Sequence, residues 1–504
     1  MSNSKSHRVV IIGSGLGGLS CGLILSRAGY DVTVLEQGTQ PGGCLQCFTR
    51  RGVKFETGMH FIGSADRGQV LERLLHYLGV MDDISLSRLN PVGYDVISLQ
   101  GQQFNIANGR EPFIETLAKD FPHERDGLNR YFDLVEQVAQ ASSLHSLRVA
   151  DSDASPLNTE YQLRSMNDVL GEVIGDPLLR DVLVGSLPLY AAERDRTPFS
   201  THAFITDFYN QSAFRVVGGS DKIAASLVRS IRESGGQVLC RKQVTRIDCD
   251  DTKAVGVETA DETYYPADIV IAGIHPARVV ELCDSSLLRP AYRRRVQSLP
   301  ETVGGFSVYL RFKPETVPYM NHNFYGYHQP SPWDSENYTQ ENWPKGYLYM
   351  HFCSREQQQW ADGGVILSYM QWDEVSRWQG TRIGRRGEDY EQMKRERAER
   401  LIDAVCQEFP LLRQGLAGYD TSTPLTYRDY TGTEGGSMYG IAKDINLGPA
   451  ARVQHRTKIP NLLLTGQNIN SHGILGVLVG TVVTCSELLT SEHIFNEIIK
   501  ANNE

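Results

Sequence analysis

Val9 to Ile12 is a run of four β-branched residues with polar neighbours on the N-terminal side, the pattern of a strand buried on both faces. Leu16 to Ala28 follows as an almost uniformly apolar helix that stops at Gly29, and Tyr30 to Glu36 reads as a second strand. The alternation then breaks. From about Glu111 to Ala191 apolar residues recur at three- and four-residue spacing, as in FIETLAKDF and YFDLVEQVAQ, which predicts a helical segment. Alternation returns with a helix from about Ser220 to Ser234. Short strands follow near Gln237–Cys240, Val244–Cys249 and Ala254–Glu258, with a buried strand in ADIVIAG. Between Pro276 and Asp444 come strand-like runs in GGFSVYLRF, GYLYMHF and GVILSYMQW. The amphipathic helix YEQMKRERAERLIDAVCQEF is here too, and its charges read as a solvated face. Aromatic residues are dense from Phe324 to Tyr349, which suits either the wall of an apolar pocket or the core of a sheet. The chain closes on a strand, a glycine turn and a glycine-rich helix within IPNLLLTGQNINSHGILGVLVGTVVTCSELL.

The chemistry sits first in the turn after the opening strand. Gly13, Gly15 and Gly18 have the G-x-G-x-x-G spacing: a tight turn, a close backbone approach to a pyrophosphate, and close helix–strand packing. The helix that starts at Leu16 presents its free N–H groups to phosphate. Glu36 lies 23 residues after Gly13, where an acid accepts hydrogen bonds from ribose hydroxyls, with Gln37 beside it. The fold expected is α/β, with a Rossmann-type dinucleotide-binding domain assembled from three segments and an α+β substrate domain inserted twice. The boundaries read as 1–100, 213–280 and 445–504 for the nucleotide domain, and 101–212 and 281–444 for the insertions.

A net charge of −10 speaks against a nucleic-acid partner. MSNSKSHR leads directly into the first strand without a secretory pattern, and the longest apolar candidate, GILGVLVGTVV, is too short and glycine-rich to span a bilayer. Nine scattered cysteines predict reduced thiols and a cytoplasmic protein. Cys44 and Cys47 form a C-x-x-C, whose readings are a redox pair or packing beside the cofactor; no partner motif completes a metal site.

The interrupted layout, with Glu36 followed by Gly42-Gly43, resembles the flavin-dependent amine oxidase and phytoene desaturase superfamily. Three blocks carry the likeness across nearly the whole chain: GSGLGG…LEQGTQPGGC, VVGGSDKI…GGQV…VTRI…ADIVIAG, and NLLLTGQN…GILGVLVG. Within it, GGCLQCF…GVKFETGMHFIG and TGQNINSHGILGVLVG are similar to the retinol saturases, and less so to the carotenoid isomerases. The resemblance implies FAD in the glycine-rich site. It places Gly13, Gly15, Leu16 and Gly18 at the pyrophosphate, Glu36 and Gln37 at the adenosine ribose, and Gly42 and Gly43 along the diphosphate. It further places Val244 at the adenine, Gly466 and Gln467 at the phosphate and ribityl chain, and Gly476, Val477 and Leu478 at a helix start against the isoalloxazine. Met59 and His60 fall where the chain passes the flavin. His60 is a proton donor or a hydrogen-bonded core residue, and Tyr430 and Tyr439 are pocket walls or proton donors. The lysine that many amine oxidases place beside the flavin is not identifiable, which counts against an amine substrate.

The activity expected is saturation of one C=C bond in a conjugated lipophilic substrate, a retinoid, carotenoid or related lipid, by hydride from flavin N5. Such a step needs conjugation, because the second carbon develops carbanion character, and it needs a positioned acid. Cis–trans isomerisation or desaturation are the enzymatic alternatives; a non-catalytic flavin-bearing lipid carrier is the alternative of another class. A lipophilic substrate also leaves peripheral contact with a membrane open. No second glycine-rich unit is present for a tightly held nicotinamide, so electrons come either from NAD(P)H as a transient reductant or from a separate donor.

Overall fold

The first helix, Leu16–Arg27, is buried on every side from Leu16 to Ser26, which is why its sequence is apolar all round. It lies against the helices Gly473–Leu489 and Asp221–Glu233. Gly22 on this helix faces Val34 and Ile231, where an added Cβ would stand 3.2 and 3.3 Å from their side chains. The protein is described by a computed structural model that covers residues 7–142, 147 and 160–503; the opening MSNSKS lies outside the described residues.

Five parallel strands form the sheet beside this helix, in the order Gln237–Leu239, Asp31–Leu35, Arg8–Ile12, Ile269–Ala272 and Leu462–Leu464. All-parallel pairing buries both faces, so the strands read as continuous apolar runs. The strands come from three stretches of chain far apart in sequence. The glycine turn sits at the C-terminal end of the central strand, where its helix begins.

A second sheet of seven strands runs in the order Leu416–Ser422, Gly304–Phe312, Gly363–Met370, Gly346–His351, Asn323–Tyr327, Asp95–Leu99 and Gln102–Ile106. Its pairs are antiparallel except Asn323–Tyr327 with Asp95–Leu99. The hairpin at residues 95–106 therefore belongs to this sheet, and a boundary at residue 100 would cut through its turn. Side chains alternate between two cores. Phe306, Val308, Leu310, Phe324, Tyr347 and Tyr349 pack with Leu401, Ile402 and Val405 of the helix Glu388–Glu408. Tyr309, Tyr325, Leu348, Met350 and Leu367 face the opposite core, shared with Leu128, Phe132 and Phe199 of the helical segment.

The period-two rule thus divides the aromatic stretch 324–349: Phe324, Tyr347 and Tyr349 are sheet core behind the site. The charged helix Glu388–Glu408 is solvated along much of its length, as its pattern suggests, but Arg397 is buried. Its guanidinium pairs with Glu374 and stacks over Trp343 at 4.5 Å.

At the nucleotide turn a Cβ on Gly18 would stand 2.1 Å from the carbonyl oxygen of Gly13. Backbone cannot yield as a flexible side chain does. Gly18→Ala is expected to lower the unfolding free energy by about 1–3 kcal/mol, measured by chemical denaturation. A variant as stable as the parent would mean that the helix can back away from the strand.

Candidate functional site

A cavity of about 330 Å³ runs from the glycine turn to the second sheet. Gly13, Gly15, Leu16, Glu36, Gln37, Gly42, Gly43, Met59, His60, Val244, Gly466 and Gln467 all line it, together with Val477, Tyr430 and Tyr439. Residues from stretches more than four hundred positions apart meet here because the parallel sheet brings its strand ends to one edge.

The cradle is built of backbone. Gly13 has φ +92° and turns the chain between strand and helix. Gly42 pairs with Gly15 as an isolated parallel bridge, and its N–H donates to the Ser14 carbonyl at 2.9 Å. A Cβ on Gly43 would meet the Gly15 Cα at 3.0 Å, so the two glycine loops cross in contact. A Cβ on Gly17 would meet the Gly466 nitrogen at 3.0 Å, which brings the C-terminal turn onto the start of the first helix. Gly15 and Gly466 themselves have open space where a Cβ would be. The first helix has no side-chain cap, so its leading N–H groups need an acceptor from outside the helix. This combination fits a dinucleotide diphosphate.

Glu36 does more than face a ribose. Its Oε2 accepts from the Ser14 N–H at 3.0 Å and the Ser14 hydroxyl at 2.5 Å, and its Oε1 accepts from the Gly38 N–H at 2.7 Å. A carboxylate offers about four acceptor positions, so these bonds leave room for a ribose hydroxyl while holding both loops.

Three predicted contacts are placed differently. Gly18 does not line the cavity; it packs under the turn against Gly13. The last long helix begins at Gly473, one turn before Gly476, so its free N–H groups come earlier in sequence. Gly473, Ile474 and Val477 line the cavity, while Gly476 packs against Ser471 and Leu478 is buried in the core. His472 precedes this helix without capping it. Burial, with Lys443 nearby, holds the His472 imidazole at about 3, uncharged at the helix start.

His60 is the titratable group at the turn from cradle to second sheet. Its Nδ1 lies 3.6 Å from Oε2 of Glu56, four residues back. Glu56 is 5% exposed, and burial raises its carboxyl above the usual range against the pull of His60 and Arg215. The Ser220 N–H donates to its Oε1 at 3.1 Å. Sequence reading missed Glu56 because it falls on the polar side of the alternating run VKFE, where its fellow Lys54 does reach a surface partner, Asp221.

Beyond His60 the lining turns apolar: Phe61, Leu189, Leu348, Met350 and Leu367, with Tyr209. The sheet contributes Leu348, Met350 and Leu367 here; the rings come from Phe61, Tyr209, Tyr439 and the helix Pro424–Thr431. Tyr430 on that helix is 61% exposed and stands at the cavity edge, whereas Tyr427, one turn earlier and missed in the sequence, also lines it. Tyr439 donates its hydroxyl to the Pro188 carbonyl at 2.7 Å and packs on His472, and burial raises its phenol; it is a wall. Cys44 lines the cavity, while the buried Cys47 sits 3.6 Å from the Ser220 hydroxyl. Burial, then Glu56, pushes the Cys47 thiol up to about 11, which disfavours the thiolate that a redox pair requires.

Two substitutions separate cradle from scaffold. Gly15→Ala, at φ −64° with open space for the new methyl, is expected to keep the parent's melting temperature and lose FAD during gel filtration. Glu36→Ala is expected to weaken FAD roughly tenfold to a hundredfold, matching a charged hydrogen bond of about 1.5–3 kcal/mol, and also to lower stability because the Ser14 and Gly38 N–H groups lose their acceptor. Undiminished FAD retention in both variants would move the diphosphate elsewhere.

The chain is similar to known proteins over almost its full length. It is 29% identical to the all-trans-retinol 13,14-reductase of Rattus norvegicus, covering 97% of this chain and 86% of the relative. It is 22% identical to prolycopene isomerase 1, chloroplastic, of an Oncidium hybrid cultivar, covering 96% and 84%. The solved structure of an oxidoreductase from Methanosarcina mazei superposes with a TM-score of 0.62 at 15% identity, covering 95% of this chain and all of that one. The flavin containing amine oxidoreductase family matches residues 16–382, from the first helix into the second sheet's connections, and the chain belongs to it.

Proposed function

We propose that this protein reduces one C=C bond of a conjugated, lipophilic isoprenoid. One observation carries the reading: the lining of the main cavity on the side of the second sheet is Phe61, Leu189, Leu348, Met350 and Leu367, with no charged side chain there among the described residues. Among the described residues the lining has one lysine, Lys242, two positions before Val244, the residue that the resemblance places at the adenine. An amine substrate would arrive as an ammonium without a counter-charge, at a heavy desolvation cost. A polyene finds in the same chamber a continuous apolar wall. The names of the rat and Oncidium relatives, a retinol reductase and a prolycopene isomerase, support polyene chemistry.

Bound along the cradle, FAD supplies hydride at its N5. The chain's own groups supply the rest. Gly473, Ile474 and Val477 set a helix start with free N–H groups at the cavity, a favourable field for negative charge. Leu348, Met350 and Leu367 hold the polyene and exclude water. His60, with Nδ1 turned to Glu56, keeps Nε2 for the cavity and delivers the proton that completes the saturation. Glu56 stands behind the ring, its Oε2 3.6 Å from Nδ1. The one G-x-G-x-x-G unit is committed to FAD, so we place electron delivery with a separate donor rather than a tightly held nicotinamide.

Anaerobic mixing of the photoreduced protein with all-trans polyenes tests the reaction. Flavin reoxidation with a product gaining two hydrogens is expected; changed geometry without reoxidation would make the protein an isomerase, and inertness toward every polyene would make it a carrier. NADH or NADPH should bleach the oxidised flavin only slowly and without saturation. Rapid, saturable bleaching would overturn the donor assignment.

The proton path has its own test. His60→Ala is expected to slow product formation by about 10²–10⁴-fold with FAD still bound, the range for a lost general acid. Glu56→Gln should cost less and shift the pH profile of turnover. Unchanged turnover in His60→Ala would move the acid to another group, with Tyr427 next to be replaced.

A further inference from the structure

Behind Leu189 and Tyr209 the structure holds a second, small cavity of about 30 Å³. Among the described residues these two side chains are the lining that both cavities share, and they part the chamber from the space beyond it. The volume is enough to hold one water molecule or one hydroxyl group. Its walls are Ile97, Ile106, Phe113, Val182, Leu183 and Ile205, and one carboxyl group, Asp95, faces into this lining with the hydroxyl-bearing Thr206, Ser186, Tyr94 and Tyr131.

Asp95 is 3% exposed and plays no part in the proposed reaction. Its place is set by register, opposite Ile106 on one side and Asn323 on the other. Asn323 Nδ2 donates to Asp95 Oδ1 at 2.8 Å, and Arg215 Nη2 donates in turn to Asn323 Oδ1 at 2.9 Å. The same guanidinium donates to the His60 carbonyl at 3.3 Å, so the carboxyl and the proposed acid are held by one arginine. Tyr131 is already engaged with His202 at 2.7 Å. Burial raises the Asp95 carboxyl to about 7, against the opposing pull of Asn323, Arg215 and Tyr325.

We propose that this small cavity is a terminal subsite for one hydroxyl group, the polar end of a lipophilic substrate threaded through the main chamber, with Asp95 as its hydrogen-bond partner. The assignment rests on the polyene reading of that chamber. A hydroxyl both donates and accepts, so it satisfies a buried carboxyl in either protonation state. A carboxylate end would set two acids together in an apolar enclosure. A hydrocarbon end would add nothing to the bond from Asn323, the kind of loss by which a polar site rejects an analogue lacking the hydroxyl. An ammonium needs a fixed anion to offset its desolvation, and a carboxyl that shares a buried network with Arg215 does not provide one.

The test uses the FAD-loaded protein and three probes: all-trans-retinol, its methyl ether and retinylamine, with affinity read from quenching of flavin fluorescence. The alcohol is expected to bind at least about tenfold tighter than the ether, the equivalent of one good hydrogen bond. In Asp95→Ala that gap should fall below about threefold, with ether affinity little changed. Leu189→Trp, which narrows the passage while leaving the Asp95 side chain in the protein, should likewise erase the gap and guards against misfolding of the first variant. Equal binding of alcohol and ether by the parent, a gap that survives both substitutions, or tightest binding of the amine would overturn the subsite alone. Failure of all three probes to bind would overturn the polyene reading and the subsite with it.

Discussion

The carbonyl oxygen of Gly13 and the Cα of Gly18 approach so closely that a single methyl between them would collide at 2.1 Å, and the position of the first helix follows from that contact. A helix set this close to the central strand is buried all round. Its uncapped start then lies level with the ends of the other parallel strands. Gly17 meets Gly466, and Gly43 meets Gly15, so three stretches of backbone converge where there is little room for side chains. Uncapped N–H groups at the start of Leu16–Arg27 and of Gly473–Leu489 are the physical demand, and a bound anionic and electron-rich group answers it.

The second sheet turns this nucleotide site into a chamber through its pleat. One face packs on the charged helix Glu388–Glu408 and takes most of the large rings of the 324–349 stretch; the other gives Leu348, Met350 and Leu367 to the cavity. The result is a change of polarity along one channel. Charged groups such as Glu36, Lys242 and Arg278 line the nucleotide end, His60 stands at the turn, and aliphatic and ring surfaces follow. Within a family whose description names amine chemistry, that gradient is what turns the reading toward a neutral, conjugated substrate.

Buried charge near the chamber falls in more than one group: His275, in the lining, pairs with Glu301 at 2.8 Å, and a second set surrounds His60. Glu56 faces His60, and Arg215, 2% exposed, reaches the His60 carbonyl and, through Asn323, Asp95. Such groups are costly to bury and hold their geometry only when partnered, which makes the network rigid. Neither acid announced itself. Glu56 stands in an alternating strand whose polar positions read as solvated, and Asp95 opens a run that looks like any edge of a strand.

What the sequence by itself determined was local: the glycine spacing, the β-branched runs, the helix and strand periods, and through them the three-part parallel sheet and the first glycine turn; the family resemblance added Gly42, Gly43 and Gly466. These are short-range constraints, because φ angles, close backbone approach and side-chain period are read within a few residues. The helix start at Gly473 rather than Gly476 was not legible in the same way, since neither position carries a capping side chain to mark it. Tertiary structure alone decided which face of each strand met the cavity, that Tyr439 spends its hydroxyl on Pro188 while Tyr427 joins the lining, and that Arg215 reaches both the His60 carbonyl and, through Asn323, Asp95. Those outcomes depend on partners between about thirty and two hundred and fifty positions away, and burial of a polar group is settled by what packs over it, which no local pattern records.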